Sequence, residues 1–146
     1  MVDVLTETVI ERSVSAVAAY AGDPTNAPAW SANIDSVEWQ TPPPVREGSR
    51  VAFVAHFLRR RLHYTYVVTE LVPGGRLVMR TAEGPFPMET TYTWSSTPDG
   101  HTRMTLRNRG EPAGFFRLAT PLLTRAMRRA NRRDLAALKR LLESRP

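Results

Sequence analysis

The chain opens on an alternating stretch, VLTETVI from Val4 to Ile10. Leu5, Glu7 and Val9 fall on one side and Val4, Thr6, Thr8 and Ile10 on the other, the two-residue period of a half-buried strand. Ser13 is placed to cap a short helix, SVSAVAAYA, which Gly22-Asp23-Pro24 ends. Pro24 to Ser31 follows as a short helix or loop, and it delivers one large aromatic, Trp30, into a stretch with no clear period. Ile34 to Gln40 reads as a second strand. It is stopped by Pro42-Pro43-Pro44, which has no N–H to give to a sheet ladder.

Five strand-like runs come next, separated by turn signals. Arg50 to Leu58 precedes an arginine turn at Arg59-Arg60-Arg61; Leu62 to Leu71 ends at Val72-Pro73-Gly74-Gly75. Arg76 to Thr81 ends at Glu83-Gly84-Pro85, Met88 to Ser95 at Thr97-Pro98-Asp99-Gly100, and Thr102 to Asn108 near Gly110 and Pro112. Short gaps between successive strands predict antiparallel hairpins. In the last run Met104 and Leu106 face one way, and Arg103, Thr105, Arg107 and Arg109 the other.

Residues 115 to 144 change period. Phe116, Ala119, Leu123, Met127, Ala130, Leu138 and Leu141 share one helical face, while Arg125, Arg128, Arg129, Arg132, Lys139 and Arg140 share the opposite one. Pro121 marks either the true start of this helix or a kink in it. A long amphipathic helix with one apolar side is the natural filling for the concave face of a twisted sheet. The pattern therefore predicts an α+β domain over 1–146: a curved antiparallel sheet of about seven strands, two short helices after the first strand, and a long C-terminal helix.

This order resembles the START/Bet v 1-like (SRPBCC) superfamily with its helix-grip fold, and within it the bacterial polyketide cyclase/dehydrase-type proteins. The segments that carry the resemblance are VIERSVSAVAAYAGDPTNAPAWSANIDSVE, EGSRVAFV, LHYTYVVTELVPGGRLVMR, PDGHTRMTLR and RRANRRDLAALKRLLE. The turn at Leu58-Arg59-Arg60-Arg61 lacks the glycine common there, and Ser13-Val14-Ser15 stands where Ala-Pro is frequent. The resemblance implies a sheet curled around the long helix, a cavity between them, and a rim of short helices and loops with Trp30 on it. From the residues alone, Trp30 equally reads as a plug in the core.

Composition narrows the chemistry. In 146 residues there is no cysteine, which removes disulfides, thiolate nucleophiles and cysteine-ligated metals. Apolar residues at 42% and charged ones at 23% are ordinary for a globular protein. Asp3, Glu7 and Glu11 interrupt the N-terminal apolar residues, unlike a signal or transit peptide, and no apolar run is long enough to span a bilayer, so a cytoplasmic protein without integral membrane association is expected. The net charge of +6 comes almost wholly from arginine, Lys139 being the only lysine. With Ala, Gly, Pro and Val also abundant, this bias reads as GC-rich coding. Arginines without interleaved exposed aromatics do not predict nucleic-acid binding.

No GxSxG, HExxH, P-loop or dinucleotide fingerprint is present, so no catalytic motif and no cofactor are predicted. His56 and His63 flank the arginine turn without a third ligand, and His101 lies in a turn, so no metal site is predicted. The inward strand and helix faces give the candidate ligand-binding set: Trp30, Phe53, Phe57, Tyr64, Tyr66, Met79, Tyr92, Trp94, Met104, Asn108, Met127 and Asn131. The same list describes an ordinary core, and the choice of a cavity rests on the resemblance. Asp134 and Glu70 are expected to pair with arginines, with an acid–base role as the alternative for Asp134. The resulting expectation is a carrier or sensor for a polyketide-, isoprenoid- or lipid-like molecule, acting as monomer or homodimer. A cyclase/dehydratase using the same cavity, and an interaction protein using the basic helix, are the alternatives.

Overall fold

The structure is a computed structural model and describes residues 1–113 and 115–145, with the backbone alone at Phe115 and Phe116. Its elements run β1 (Val2–Ile10), α1 (Val14–Ala21), one 3-10 turn (Pro24–Asn26), α2 (Ala27–Trp30), β2 (Ile34–Trp39), β3 (Arg50–Phe57), β4 (Arg60–Val72), β5 (Arg76–Glu83), β6 (Met88–Ser96), β7 (Thr102–Gly110), α3 (Phe115–Leu118) and α4 (Thr120–Glu143). All seven strands form one antiparallel sheet in the order β1-β7-β6-β5-β4-β3-β2. Strands β2 to β7 follow one another as hairpins, and β1 adds to the far edge beside β7. The segment from β1 to β2 must therefore cross from one edge to the other, and it carries α1 and α2 across the open side.

The alternation of β1 is realised as expected. Val4 and Ile10 are fully buried and Thr6 nearly so, while Leu5 is exposed on the convex side. Register shifts in β4 at Thr65/Tyr66 and at Val68/Glu70 mark bulges in this 13-residue strand. Extra residues of this kind bend a strand and tighten its twist, which curls the sheet toward the helix. On the convex side cross-strand ion pairs cover the surface. Glu89 accepts from Arg109 at 2.6 Å and lies 2.6 Å from Arg80, and burial of its carboxyl is outweighed by these two guanidinium partners, so its pKa falls.

Local chemistry sets the helix ends. Ser13 Oγ accepts from the Ala16 N–H at 3.3 Å and caps α1. The Pro24 to Ser31 stretch is helical rather than loop, the 3-10 turn being capped by Asp23 through the Thr25 N–H at 3.0 Å. Pro121 does not kink the last helix; the chain breaks at Ala119, and Pro121 sits in the first turn of α4, where a missing N–H costs nothing. Phe116, expected on the apolar stripe, has its side chain outside the described residues.

Two expectations change. The turn between β3 and β4 is not an arginine triplet: it is Leu58-Arg59, both with positive φ (50° and 62°), and Arg60 and Arg61 already pair in β4. A two-residue hairpin of type I′ requires left-handed backbone at both turn positions, which Asn-Gly supplies cheaply and Leu-Arg does not. Lys139 is not part of the free basic face. Its ammonium donates to the Val9 carbonyl at 2.7 Å and to Glu143 at 2.5 Å, and Glu143 also accepts from the Glu11 N–H at 2.8 Å. These bonds fasten the C-terminal end of α4 to the end of β1.

Among the described residues no helix is long and apolar enough to cross a membrane. Leu135, Leu138 and Leu142 of α4 pack with Ile10, Val17, Leu77 and Met104 into a solid core. That core fills only one end of the concave face.

Candidate functional site

At the other end the sheet and α4 touch only in part, and an apolar cavity of about 140 Å³ remains between them. Phe53 and Phe57 reach it from β3, Tyr64 and Tyr66 from β4, Met79 from β5 and Tyr92 from β6. Asn108 comes from β7, Met127 and Asn131 from α4, and Trp30 from α2. Trp30 is thus both buried, at 3% exposure, and a wall of the cavity. Its ring lies 5.8 Å from that of Tyr92. Phe53 stacks on Tyr64 at 5.3 Å with the planes 9° apart, so the β3–β4 side of the wall is aromatic.

Trp94 and Met104 do not border this space. Trp94 is buried at the opposite end, against Tyr92, and faces a separate groove that Trp39, Pro44 and Leu71 also line. Met104 is fully enclosed in the solid core. Both lie on the predicted face of their strands. Alternation fixes the face but carries no information about position along it, and the pair Trp94–Met104 is four residues from the pair Thr90–Asn108 that reaches the cavity.

The polar groups of the cavity form an ordered chain. Tyr66 OH and Thr90 Oγ1 are 2.8 Å apart, Thr90 Oγ1 donates to Asn108 Oδ1 at 2.6 Å, and Asn108 Nδ2 donates to Asn131 Oδ1 at 3.2 Å. Threonine has a single hydroxyl proton, already given to Asn108, so the Tyr66 hydroxyl is the donor in the first link. Burial pushes the Tyr66 phenol up to about 12, and burial followed by the neighbouring phenols raises those of Tyr64 and Tyr92 as well, so all three stay protonated at neutral pH. The chain ends in Asn131 Nδ2, which has no partner among the described residues, and Trp30 Nε1 has none either.

Asp134, three residues beyond Asn131, also borders the cavity and is 5% exposed. The expected arginine partner is marginal: Arg133 Nε stands 3.9 Å away on a half-exposed side chain. The carboxylate instead accepts from Ser31 Oγ at 3.0 Å and from the Ala32 N–H at 3.3 Å, tying the end of α2 to α4. Burial raises its pKa, against the opposing pull of Ala32, Ser31 and Arg133. Glu70 pairs with Arg76 at 3.1 Å.

Sequence reasoning left Thr90 and Phe86 out of the site. Thr90 follows by alternation from Tyr92; its small polar side chain hid it. Phe86 lies between β5 and β6, where no period applies. Asp134 was visible as a charged position on the helical spacing 127, 131, 134, 138.

His56, at the solvent-facing rim of the cavity, pairs with Asp35 at 2.9 Å, and His63, opposite Val54, is exposed. Among the described residues no three His, Cys, Asp or Glu side chains gather as metal ligands would. Arg125, Arg128, Arg129 and Arg132 are exposed on the outer side of α4.

Known structures share this arrangement. A protein of Thermus thermophilus superposes with a TM-score of 0.83 at 20% identity, over 98% of this chain and 99% of that one. The ZhuI aromatase/cyclase of Streptomyces sp. R1128 gives 0.80 at 15% identity, over 97% and 93%. A START superfamily protein of Mycobacterium smegmatis gives 0.71 at 13% identity, over 97% and 94%. At such identities the likeness is one of fold. No curated protein matches the sequence. Residues 1–143 match the family described as polyketide cyclase / dehydrase and lipid transport, and the chain, a helix-grip protein with a cavity under its long helix, belongs to that family.

Proposed function

We propose that this protein, a single domain over 1–146, binds a hydrophobic or aromatic small molecule of the polyketide, isoprenoid or lipid type between sheet and α4, as a carrier or sensor in the cytoplasm. One observation carries the reading: an aromatic-walled space of about 140 Å³ left open between the sheet and α4. Protein interiors pack with few voids larger than a water molecule, and an apolar cavity of about 150 Å³ is large enough to hold benzene. The reading includes no nucleic-acid partner, since the exposed arginines of α4 have no aromatic platform among them, and it is compatible with a monomer or a homodimer. Native mass spectrometry of protein purified without added ligand tests it. A co-purifying small molecule, or binding of a one- or two-ring apolar probe that Ala55→Leu abolishes, is the expected result. A folded protein that takes up no member of a broad set of aromatic and lipid-like probes overturns it.

Asp134 favours a second reading, a cyclase or dehydratase using the same space. A buried carboxyl of raised pKa beside unpartnered N–H donors is equipped to move a proton next to a ligand carbonyl while the donors hold the oxygen on which negative charge develops. The same fold in an aromatase/cyclase is compatible with this. Turnover of a poly-ketone that is lost in Asp134→Asn, with binding retained, distinguishes the enzyme from the carrier.

A further inference from the structure

We infer that the N-terminal half of α4, the half that roofs the cavity, is a docking surface for an anionic lipid bilayer, held by the arginines of its outer face while Leu118 and Leu122 enter the headgroup boundary. The inference goes beyond the cavity reading and stands without it.

The net charge is not spread over the molecule. Residues 112–133 hold six arginines and no acidic residue, and those six equal the whole net charge of +6. Over the rest of the chain the 14 acidic residues are matched by as many basic ones. GC-rich coding accounts for arginine in place of lysine, but it does not gather the entire excess into one short segment. Elsewhere arginines are paired, Arg107 with Asp3, Arg76 with Glu70, and Arg80 and Arg109 with Glu89. Of the six, only Arg133 has an acidic neighbour among the described residues, Asp134 at 3.9 Å.

The helix sets these charges in line with exposed leucine. Positions 122, 125, 129 and 132 form one outward stripe, so Leu122 stands in a row with Arg125, Arg129 and Arg132. Leu122 is 56% exposed, and Leu118, the last residue of α3, is 91% exposed. After Arg132 the stripe continues through Ala136 to Arg140 and Glu143, so the unbroken basic run belongs to the half of α4 whose inner side, at Leu123 and Met127, lines the cavity. A second basic element stands at the same end. Leu58, in the β3–β4 turn, packs against the apolar cluster that contains Leu123, which places the exposed Arg59 and Arg61 beside this half of α4.

An anionic bilayer answers both features. Its headgroups attract the arginines, each worth about fivefold in partitioning near a charged leaflet, and the leucines leave water at the acyl boundary. A nucleic acid answers only the charge. It gives the leucines no apolar cover, and among the described residues no exposed aromatic stands between these arginines for a base to stack on. Charges carried on two separate elements, the helix and the hairpin tip, also suit an extended anionic surface that meets both together. The contact is peripheral and reversible, and it turns the cavity end of the molecule toward the lipid.

The test is co-sedimentation of the whole protein with vesicles of phosphatidylcholine alone or with about 30% phosphatidylserine, at about 50 mM and about 500 mM salt. The expected result is binding to the anionic vesicles only, about tenfold or more weaker at the higher salt. Arg129→Glu should lower it about tenfold or more, whereas Arg46→Glu, the same change in net charge on the exposed loop between β2 and β3, should lower it less than about twofold. Leu118→Gln combined with Leu122→Gln leaves the charge untouched and should lower binding about fivefold or more. All four side chains are exposed, so melting temperatures should stay within about 2 °C of wild type. No binding at either salt overturns the inference and leaves the cavity reading intact. Equal binding to phosphatidylcholine alone, or equal losses in Arg129→Glu and Arg46→Glu, overturns it as well. Vesicle binding that the leucine variant retains in full, with equally tight binding of a DNA duplex, assigns the surface to polyanions in general and overturns the lipid reading.

Discussion

The pairs Trp94–Met104 and Thr90–Asn108 face the same side of the same two strands, yet the first packs into the core cluster, with Trp94 beside a separate groove, and the second borders the cavity under α4. The sheet does not make the difference. At the solid end α4 presents Leu135, Leu138 and Leu142, and α1 adds Val17 and Ala21. At the open end α4 presents Leu123 and Met127, then the smaller or polar Ala130, Asn131 and Asp134. Small and polar side chains leave space that aliphatic ones fill, and the sheet is too stiff at its hydrogen-bonded ladders to collapse onto them. One helix thus serves as anchor along one half and as ceiling along the other. The site is defined by what α4 withholds as much as by what the strands supply.

The sharpest way to break this comparison is truncation at each end. Leu138→Ala, at a position with no exposure, should cost about 2–5 kcal/mol and lower the melting temperature by roughly 5–15 °C. Met127→Ala, half-buried beside existing space, should cost about 1 kcal/mol. Equal losses in thermal melts of the two would mean that the two ends are packed alike.

Enlargement probes the same contrast at smaller amplitude. Ala21→Leu adds volume to the solid end and should destabilise by about 1–3 kcal/mol. Ala55→Leu adds the same volume at the cavity wall and should be neutral in urea melts, or stabilising by a few tenths of a kcal/mol, while any apolar probe loses affinity about tenfold or more. A strongly destabilised Ala55→Leu would show that the wall has no room to give.

The smallest effect separates the two ends electrostatically, since among the described residues only the open one holds a buried carboxyl. Asp134 keeps its proton to a higher pH when folded than the ordinary 3.8. Between 3.8 and that raised value the folded state holds a proton the unfolded chain has released, so stability attributable to Asp134 is full below 3.8 and declines as pH rises through the folded pKa. Asp3, held low by Arg107, and Glu143, held low by Lys139, act in the opposite sense, losing stability as pH falls. The difference between wild type and Asp134→Asn isolates the first. Asparagine still accepts from Ala32 and can donate to Ser31, so its stability relative to wild type should rise across that window and then level off. A flat difference from about pH 3 to 8 in urea titrations would show that the carboxyl is no more buried in the folded state than outside it.

Much of the fold was legible because it is local. Alternation in Val4 to Ile10 and in Thr102 to Asn108, the glycine and proline turns, and the 3.6-residue stripe of α4 each state their own geometry. The β3–β4 turn misled because Leu58 and Arg59 take a backbone that their types disfavour, so the arginines that follow looked like the turn itself. Of the site, the strand faces were readable and ten of the twelve candidate residues reach the cavity. Trp94 and Met104 do not, and Thr90, Phe86 and Asp134 do, because location along a face depends on register against another element.

What the sequence by itself determined is the class of architecture and the side of each strand and helix that turns inward, since periodicity and turn chemistry act between residues close in the chain. What only the tertiary structure decided is where along that inward face the core stops. A void exists where side chains from α2, α4 and six strands fall short of one another, and the unpartnered ends at Asn131 and Trp30 become visible only when groups from residues 30 to 134 are counted together. Packing is a sum over neighbours distant in sequence, and no local pattern records its remainder.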